Sequence, residues 1–406
     1  MTSGEVLLGP ATGGRRGDPD PYGNYAWLRE NCPVSPVPGD ADSPTWLVTT
    51  FDLVRSCLGD ARLSSDPRHL GGAVADGFER NLQGMDPPEH TRLRRVVSRA
   101  FSPRSVEAAR PGIAAVCNEA IDALSGRTEA DLVAEYALVV PVAVIHRLLG
   151  VPPELAIAPA QCLEKFWSAS VKQPADEAAI EELRGYTASI VDACRSVPGQ
   201  GVVSELLEAL DAGALRDELE VQAMIFLLLG AGHATSVPFL GAAILRLLQN
   251  PCLVEEALRD ATRWPSYVEE ALRLDSPSQA SAARYATEDL EIGGVQVARG
   301  DTVVLSLAAA NRDPLLFDDA ERFAPRPVAP AHLAFGHGLH VCVGAHLARA
   351  EGEIALRTLF ERLSGPRLSL DEVTWALGPM LRCPASLPVT FDGVADATPL
   401  RGDRHG

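Results

Sequence analysis

One run in the sequence combines residue types and spacing in a way that points to metal chemistry. It reads His332-Leu333-Ala334-Phe335-Gly336-His337-Gly338-Leu339-His340-Val341-Cys342-Val343-Gly344 and is followed by a helix-like stretch from Ala345 to Phe360. Glycines at 336, 338 and 344 permit a tight loop whose backbone can approach a flat ligand closely and turn its amides inward. Cys342 stands just before a helix N-terminus, where the dipole and free amides favour a thiolate over a thiol. A sulfur kept ionised suits a metal. An isolated cysteine is by default a small buried hydrophobe, and the glycine-rich frame sets this one apart. The eight cysteines, at 32, 57, 117, 162, 194, 252, 342 and 383, include no C-x-x-C pair, so neither a zinc ribbon nor a disulfide framework is indicated.

Other chemistry-bearing residues recur at helical spacing. Glu270 and Arg273 lie three apart and His90 and Arg94 four apart, so each pair shares a helix face. The second pair suits two donors on one carboxylate. Alone, either pair reads as a solvated surface feature. Further along, Ala231-Gly232-His233-Ala234-Thr235-Ser236 places an alcohol in the middle of a long apolar stretch. Pro238 cannot donate to the carbonyl of Ala234, which is left free.

These residues need a frame of helices. Apolar residues recur at three- and four-residue spacing over Arg92 to Phe101, Pro111 to Ser125, Ala130 to Leu149, Ala179 to Ser196, Val202 to Ala212, Asp217 to Asn250 and Val254 to Leu274. Strand-like pieces include Trp46 to Thr50, a Leu290–Ile292 and Val295–Val297 hairpin turning at Gly293-Gly294, Thr302 to Leu307, and parts of Leu368 to Phe391. The spacing predicts a mainly α protein with small β-sheets. Neither a repeat nor a long linker divides it.

With 406 residues, 46% hydrophobic and 22% charged, the chain is long enough for a large core and too apolar for disorder. A net charge of −18 argues against a nucleic-acid surface. The N-terminal residues lack a long apolar stretch, and the run Met224 to Leu229 is far short of a bilayer span. The expectation is a cytoplasmic protein with neither a nucleic-acid nor a membrane partner.

The loop from Phe335 to Gly344 resembles, position for position, the haem-binding loop of the cytochrome P450 family, F-G-x-G-x-H-x-C-x-G. The resemblance implies that Cys342 is the axial thiolate of a haem b iron, donating electron density that favours O–O cleavage. Phe335, Gly336, His340 and Gly344 would frame that cofactor. Glu270-Ala271-Leu272-Arg273 resembles the family's E-x-x-R helix, and Arg326 matches the third member of its ion-pair triad, a support beneath the haem. His90 and Arg94 match an H-x-x-x-R pair serving one haem propionate, and Arg284 and His340 match the positions serving the other. The likeness runs from about Tyr22 to Val389. It implies one P450 domain over 21–392, with a flexible N-terminus over 1–20 and a tail over 393–406.

One position departs from the family pattern. Where the family reads A-G-x-(Asp or Glu)-Thr, this chain has Thr235 but Ala234 in place of the acid. Splitting dioxygen takes two protons, and an acid beside an alcohol is the usual relay. An ordered water on the Ala234 carbonyl and Thr235 hydroxyl, or a polar group of the substrate, would have to serve instead. His233, at the variable position, is expected to be a packing or surface histidine.

The resemblance also implies a pocket lined by the segment before Met85, by Phe166 to Val171, by Leu228 to Thr235, by Pro277 to Ala283 and by the loop near Met380. Phe166, Leu228, Ala231, Ala280 and Met380 are the candidate contacts, with small residues leaving room for a bulky ligand. Electrons would come from a ferredoxin and its reductase, docking on a basic patch that includes Arg92, Arg95 and Arg349. The implied reaction is monooxygenation of a small organic molecule, free or carrier-protein-bound, in antibiotic-type biosynthesis. Ala234 raises an alternative: desaturation, cyclisation or phenolic coupling. A recruitment domain without catalysis is a third reading, and the retained Cys342, Thr235 and propionate donors speak against it.

Overall fold

A computed structural model describes residues 20–37, 44–70, 81–157, 161, 177–197, 199, 201–377 and 380–397. All but Asp20 of the expected flexible N-terminus over 1–20, the pocket segment Phe166 to Val171 and the end of the tail lie outside these residues.

The body is helical, as the spacing predicts. Helices span Tyr22–Asn31, Phe51–Gly59, Glu89–Val97, Pro103–Asp122, Val139–Leu149, Glu177–Ser196, Val202–Asp211, Glu218–Leu248, Pro251–Arg259, Trp264–Leu274 and Ala345–Arg362, with a short turn at Leu307–Ala310. The longest, Glu218–Leu248, is capped by Asp217, whose carboxylate accepts from the Glu220 N–H at 2.9 Å. Glu218 and Glu220 in its first turn and Arg246 in its last oppose its dipole. It is apolar enough for a membrane, but its neighbours cover most of it and Pro238 lies inside it without ending it. It packs on Val139–Leu149, Trp264–Leu274 and Ala345–Arg362, and the main hydrophobic cluster forms there.

Two expected helices are divided. Val254 to Leu274 breaks at Asp260, which caps a short 3-10 turn at Ala261–Arg263 before Trp264–Leu274 begins with Pro265 in its first turn. Ala130 to Leu149 opens with a strand, Glu129–Asp131, and a wide turn, Val133–Ala137, and turns α-helical only at Val139. Asp131 causes this: its carboxylate accepts from the amides of Val133 and Leu387 and from the Ser386 hydroxyl, bending the chain toward strand Pro388–Thr390.

The larger sheet has the order Val34–Val37, Thr45–Val48, Thr302–Leu305, Arg284–Ala286, Leu63–Ser64. Thr45–Val48 and Thr302–Leu305 run parallel, and the other pairs are antiparallel. The hairpin at Gly293-Gly294 forms as expected. The strand at Thr302 stops at Leu305, because the Ser306 hydroxyl accepts from the Ala309 N–H and starts a helical turn. Gly393–Val394 pairs with Leu363–Ser364, so the folded body reaches past the boundary expected at 392.

Candidate active site

The cysteine loop is a fold of hydrogen bonds on a rigid base. Gly336 N–H donates to the Leu333 carbonyl at 2.8 Å and Cys342 N–H to the Phe335 carbonyl at 2.9 Å, while Val341 N–H closes a 3-10 turn on Gly338 at 3.2 Å. Gly338 has φ +72°, and a Cβ there would lie 2.8 Å from the Leu58 carbonyl, so only glycine lets helix Phe51–Gly59 buttress the loop.

Behind the loop stands the E-x-x-R helix. Arg273 is bound in a two-pronged pair to Glu270, with both contacts 2.8 Å, and both side chains are buried. Its remaining N–H groups donate to the carbonyls of Asn311, Ala320 and Arg322. Asn311 in turn accepts from Leu333 N–H at 2.6 Å through its side-chain oxygen, so the pair holds the start of the loop at one remove. Arg326 is not part of this set, contrary to the triad expected from the sequence. Both Glu270 oxygens are engaged by Arg273, one also accepting from the Ala324 amide, and Arg326 turns outward to Asp318 and Asp319 at 3.3 and 3.2 Å. That adjacent acidic pair was the signal to weigh.

Cys342 retains accessible surface, yet it lies deep enough that burial pushes its thiol upward. The Gly344 amide, Arg94 and Arg349 pull the other way without prevailing. Loss of the thiol proton goes with metal binding. Arg349 lies 4.5 Å from the Phe335 ring centre and pairs with Glu269 at 2.7 Å. Burial works to raise the Glu269 carboxyl, but His332 and Arg349 outweigh it and hold it at about 2.

The four expected propionate donors converge. The His90 and His340 rings are 4.4 Å apart, centre to centre. His90 is 1% exposed, and neither of its nitrogens, nor Nε2 of His340, has a hydrogen-bond partner. Arg94 donates to the Val341 carbonyl at 2.6 Å, and buried Arg284 makes only long contacts to the carbonyls of Ala282 and Ala283, at 3.3 and 3.4 Å. Burial lowers the pKa of all four, and Arg284 and His90 help bring His340 to about 4. Among the described residues the acid beside them is Asp86, 4.0 Å from His340 and already bonded to the Ser64 hydroxyl and the Ser65 amide. Sequence reasoning passed over Asp86, although it lies in the same motif as His90. Buried His90 and Arg284 and half-buried Arg94 and His340, converging with so little negative charge, call for an anion. The two carboxylates of haem b beside an open cysteine fit this set.

On the long helix, Leu227, Ala231, Ala234 and Thr235 keep open surface at helical spacing, while Leu228, Leu229, His233 and Ser236 are buried. Around Ala231, Ala234 and Thr235 that face carries small side chains, with Leu227 two turns before Ala234. Thr235 Oγ1 donates to the Ala231 carbonyl at 2.9 Å, leaving its lone pairs as acceptors. His233 is a packing residue, bonded through Nδ1 to the Leu229 carbonyl at 2.6 Å and lowered to about 4 by burial. Of the expected pocket contacts, Ala231 lies on the open face, whereas Leu228 packs into the main core. Ala280 is 2% exposed and packs with Leu28, Val37, Leu47, Val304 and Met380, in a bent stretch where Gln279, Ala280 and Ser281 are all buried. Ala282 and Ala283 carry the open surface of that segment instead.

A sulfur in a glycine loop, donors for carboxylates and a small-residue helix face define a haem-thiolate enzyme. The family model described as Cytochrome P450 matches residues 265–369. The chain is 35% identical to the cytochrome P450 monooxygenase PikC of Streptomyces venezuelae, covering 92% of this chain and 91% of PikC. It is 37% identical to the 6-deoxyerythronolide B hydroxylase of Saccharopolyspora erythraea, covering 92% and 96%. Among solved structures, the P450 enzyme CxnD, described as acting in C–S bond formation in chuangxinmycin biosynthesis, superposes with a TM-score of 0.84 at 34% identity, covering 91% of this chain and 94% of that one. The chain belongs to the cytochrome P450 family, as a monooxygenase whose cofactor is haem b.

Proposed function

We propose that the chain oxidises a bulky, largely apolar small molecule in the biosynthesis of a specialised metabolite. The observation that carries this reading is the open face of the long helix, where Ala231, Ala234 and Thr235 offer little side-chain bulk. The hydroxylation of 6-deoxyerythronolide B and the polyketide biosynthesis named for two relatives support the same class. Cys342 binds the iron, His90, Arg94, Arg284 and His340 hold the propionates, and Phe335, Gly336 and Gly344 shape the loop. When bound, the haem would supply activation of dioxygen and insertion of one of its oxygen atoms into substrate, the other leaving as water. The chain excludes bulk water, orients the substrate and delivers protons. With Ala234 at the acid position, proton delivery falls to the Thr235 hydroxyl, a water on the Ala234 carbonyl that Pro238 frees, or a polar substrate group.

A ferredoxin with its reductase supplies the electrons, in the cytoplasm. The basic patch for it is narrower than the sequence implied. Arg92 is taken up by Glu89 and Glu220, and Arg349 by Glu269, while Arg95 remains exposed.

The testing experiment is an absorption titration of the ferric protein with polyketide, terpenoid and aromatic peptide-like compounds, free and carrier-bound. A saturable band shift with free macrolactone-sized compounds is the expected result. Shifts with carrier-bound compounds alone would move the enzyme onto an assembly line, and haem-loaded protein that shifts with none of them would sink the proposed class.

The Ala234 methyl, half-buried on the open face, favours a second reading, in which the same haem performs desaturation, ring closure or phenolic coupling. Turnover under labelled dioxygen separates the two. Label in the product supports monooxygenation, and its absence from an oxidised product supports the second reading.

A further inference from the structure

Beside the C-terminal part of the long helix lies a charge cluster that none of the roles above uses. Asp275 follows the E-x-x-R helix and is 2% exposed. Its carboxylate accepts from Arg246 at 2.6 and 2.7 Å and lies 3.7 Å from both Arg312 and Arg382. Arg246 belongs to the long helix, about three turns beyond Thr235. Arg382 opens the second strand of a hairpin, Trp375–Leu377 with Arg382–Pro384. Its guanidinium lies 3.4 Å from the Trp375 ring centre and 5.1 Å from that of Tyr22.

The same hairpin is sewn to the chain that leads to the haem donors. Gln279 N–H donates to the Met380 carbonyl at 2.8 Å, Ser278 bridges Leu381, and Arg382 N–H reaches the Pro277 carbonyl at 3.4 Å. Met380 packs in one small cluster with Ala280. Two and three residues on, Ala282 and Ala283 carry open surface, and Arg284 joins the propionate donors. One carboxylate thus fixes the long helix, the hairpin and the wall segment relative to one another.

Burying Asp275, Arg312 and Arg382 beside half-buried Arg246 is a poor way to gain stability, since well-packed apolar residues of equal volume serve as well or better. What such a cluster provides is a single geometry. We propose that Asp275, Arg246 and Arg382 set the width of the substrate pocket between the long helix and the Pro277–Ala283 wall, with Arg382 as a positioning residue for substrate size. This rests on the reading above that these two elements line the pocket. Arg382 acts through the hairpin and the wall, not by touching substrate.

The test compares two iron-binding probes on the haem-loaded protein, imidazole and the bulky aryl imidazole econazole, in the parent and in Arg382→Lys, Trp375→Leu and Trp375→Phe. Asp275→Asn would strip buried Arg312 and Arg382 and half-buried Arg246 of a carboxylate at once, so it does not isolate the effect of Arg382. Lysine keeps the charge near Asp275 but loses the flat face on Trp375. Expected are unchanged haem content and ferrous carbonyl spectra, and imidazole affinities within about twofold of the parent. Econazole affinity should change by about tenfold or more in Arg382→Lys and Trp375→Leu, with Trp375→Phe close to the parent. Unchanged econazole binding would overturn the proposal, as would equal losses for both probes or a parent that binds imidazole alone. The readout is ligand size and not turnover. Failure to oxidise any tested compound would sink the substrate class while leaving a split between the two probes as support for the cluster.

Discussion

Gly232→Ala tests how closely the long helix must approach its neighbour. A Cβ at position 232 would lie 2.8 Å from Cγ1 and 2.9 Å from Cδ1 of Ile145, in helix Val139–Leu149. Carbon atoms in contact sit at about 3.5–4.0 Å, so the shortfall is about 0.6–1.2 Å. Ile145 cannot simply rotate away, because its own Cβ would be 3.4 Å from the new methyl and a β-branched side chain in a helix has one favoured χ1. Overpacking of this kind costs about 1–3 kcal/mol. Alanine gains about 0.8–1.0 kcal/mol over glycine in helix propensity, so the two terms oppose each other. The net expectation is destabilisation of up to about 2 kcal/mol. Guanidinium unfolding of the haem-loaded protein reads this, alongside Ile145→Ala and the double variant. The added methyl should be better tolerated where Ile145 is cut back, giving a coupling of about 1 kcal/mol or more. A Gly232→Ala protein more stable than its parent, or a coupling near zero, would refute the close approach.

Three further outcomes are expected. Glu270→Gln leaves the Arg273 guanidinium buried without its counter-charge and should cost about 3–5 kcal/mol and lower haem incorporation, read by unfolding midpoint and haem-to-protein ratio; a loss under about 1 kcal/mol would contradict the pairing. Ala234→Glu restores the family's acid and should raise product formed per electron pair, measured as product against NADPH consumed with a surrogate ferredoxin. A changed product would mean that the missing acid shapes the reaction, and unchanged coupling would mean that the relay does not need it. Glu351 is buried and its carboxyl is pushed up to about 8. The folded state therefore holds a proton that the unfolded state loses near 4.5, so this contribution is full below 4.5 and declines as pH rises through 8. Stability curves should flatten over that window by an amount on the order of 4 kcal/mol in Glu351→Gln, and an unaltered slope would count against the buried proton.

Local pattern made a good part of this protein legible. The cysteine loop could be read because its glycines, histidine and cysteine act within ten residues, and the tightness of such a loop depends on residue type alone. Glu270 pairs with Arg273, and His90 and Arg94 lie one turn apart on the helix Glu89–Val97, because helical spacing fixes which side chains share a face. The long helix announced itself over Asp217 to Asn250 and spans Glu218–Leu248, its cap being a local hydrogen bond.

What the sequence left open depends on partners far along the chain. The strand Glu129–Asp131 looked helical from its neighbours, and only pairing with Pro388–Thr390 makes it extended. Arg326 matched a motif, but its counter-charges were decided by which carboxylates were already engaged, and Glu270 had no oxygen to spare. Ala280 and Ala282 are indistinguishable by type, and only the packing of Met380 and Leu28 shows which is covered. The ionisation of Cys342 is likewise a property of its surroundings, where burial outweighs the nearby amide and arginines. The sequence by itself determined the chemistry this chain carries and the turns that present it. The tertiary structure decided which side chains are left without partners, because burial and pairing are settled only when distant segments meet.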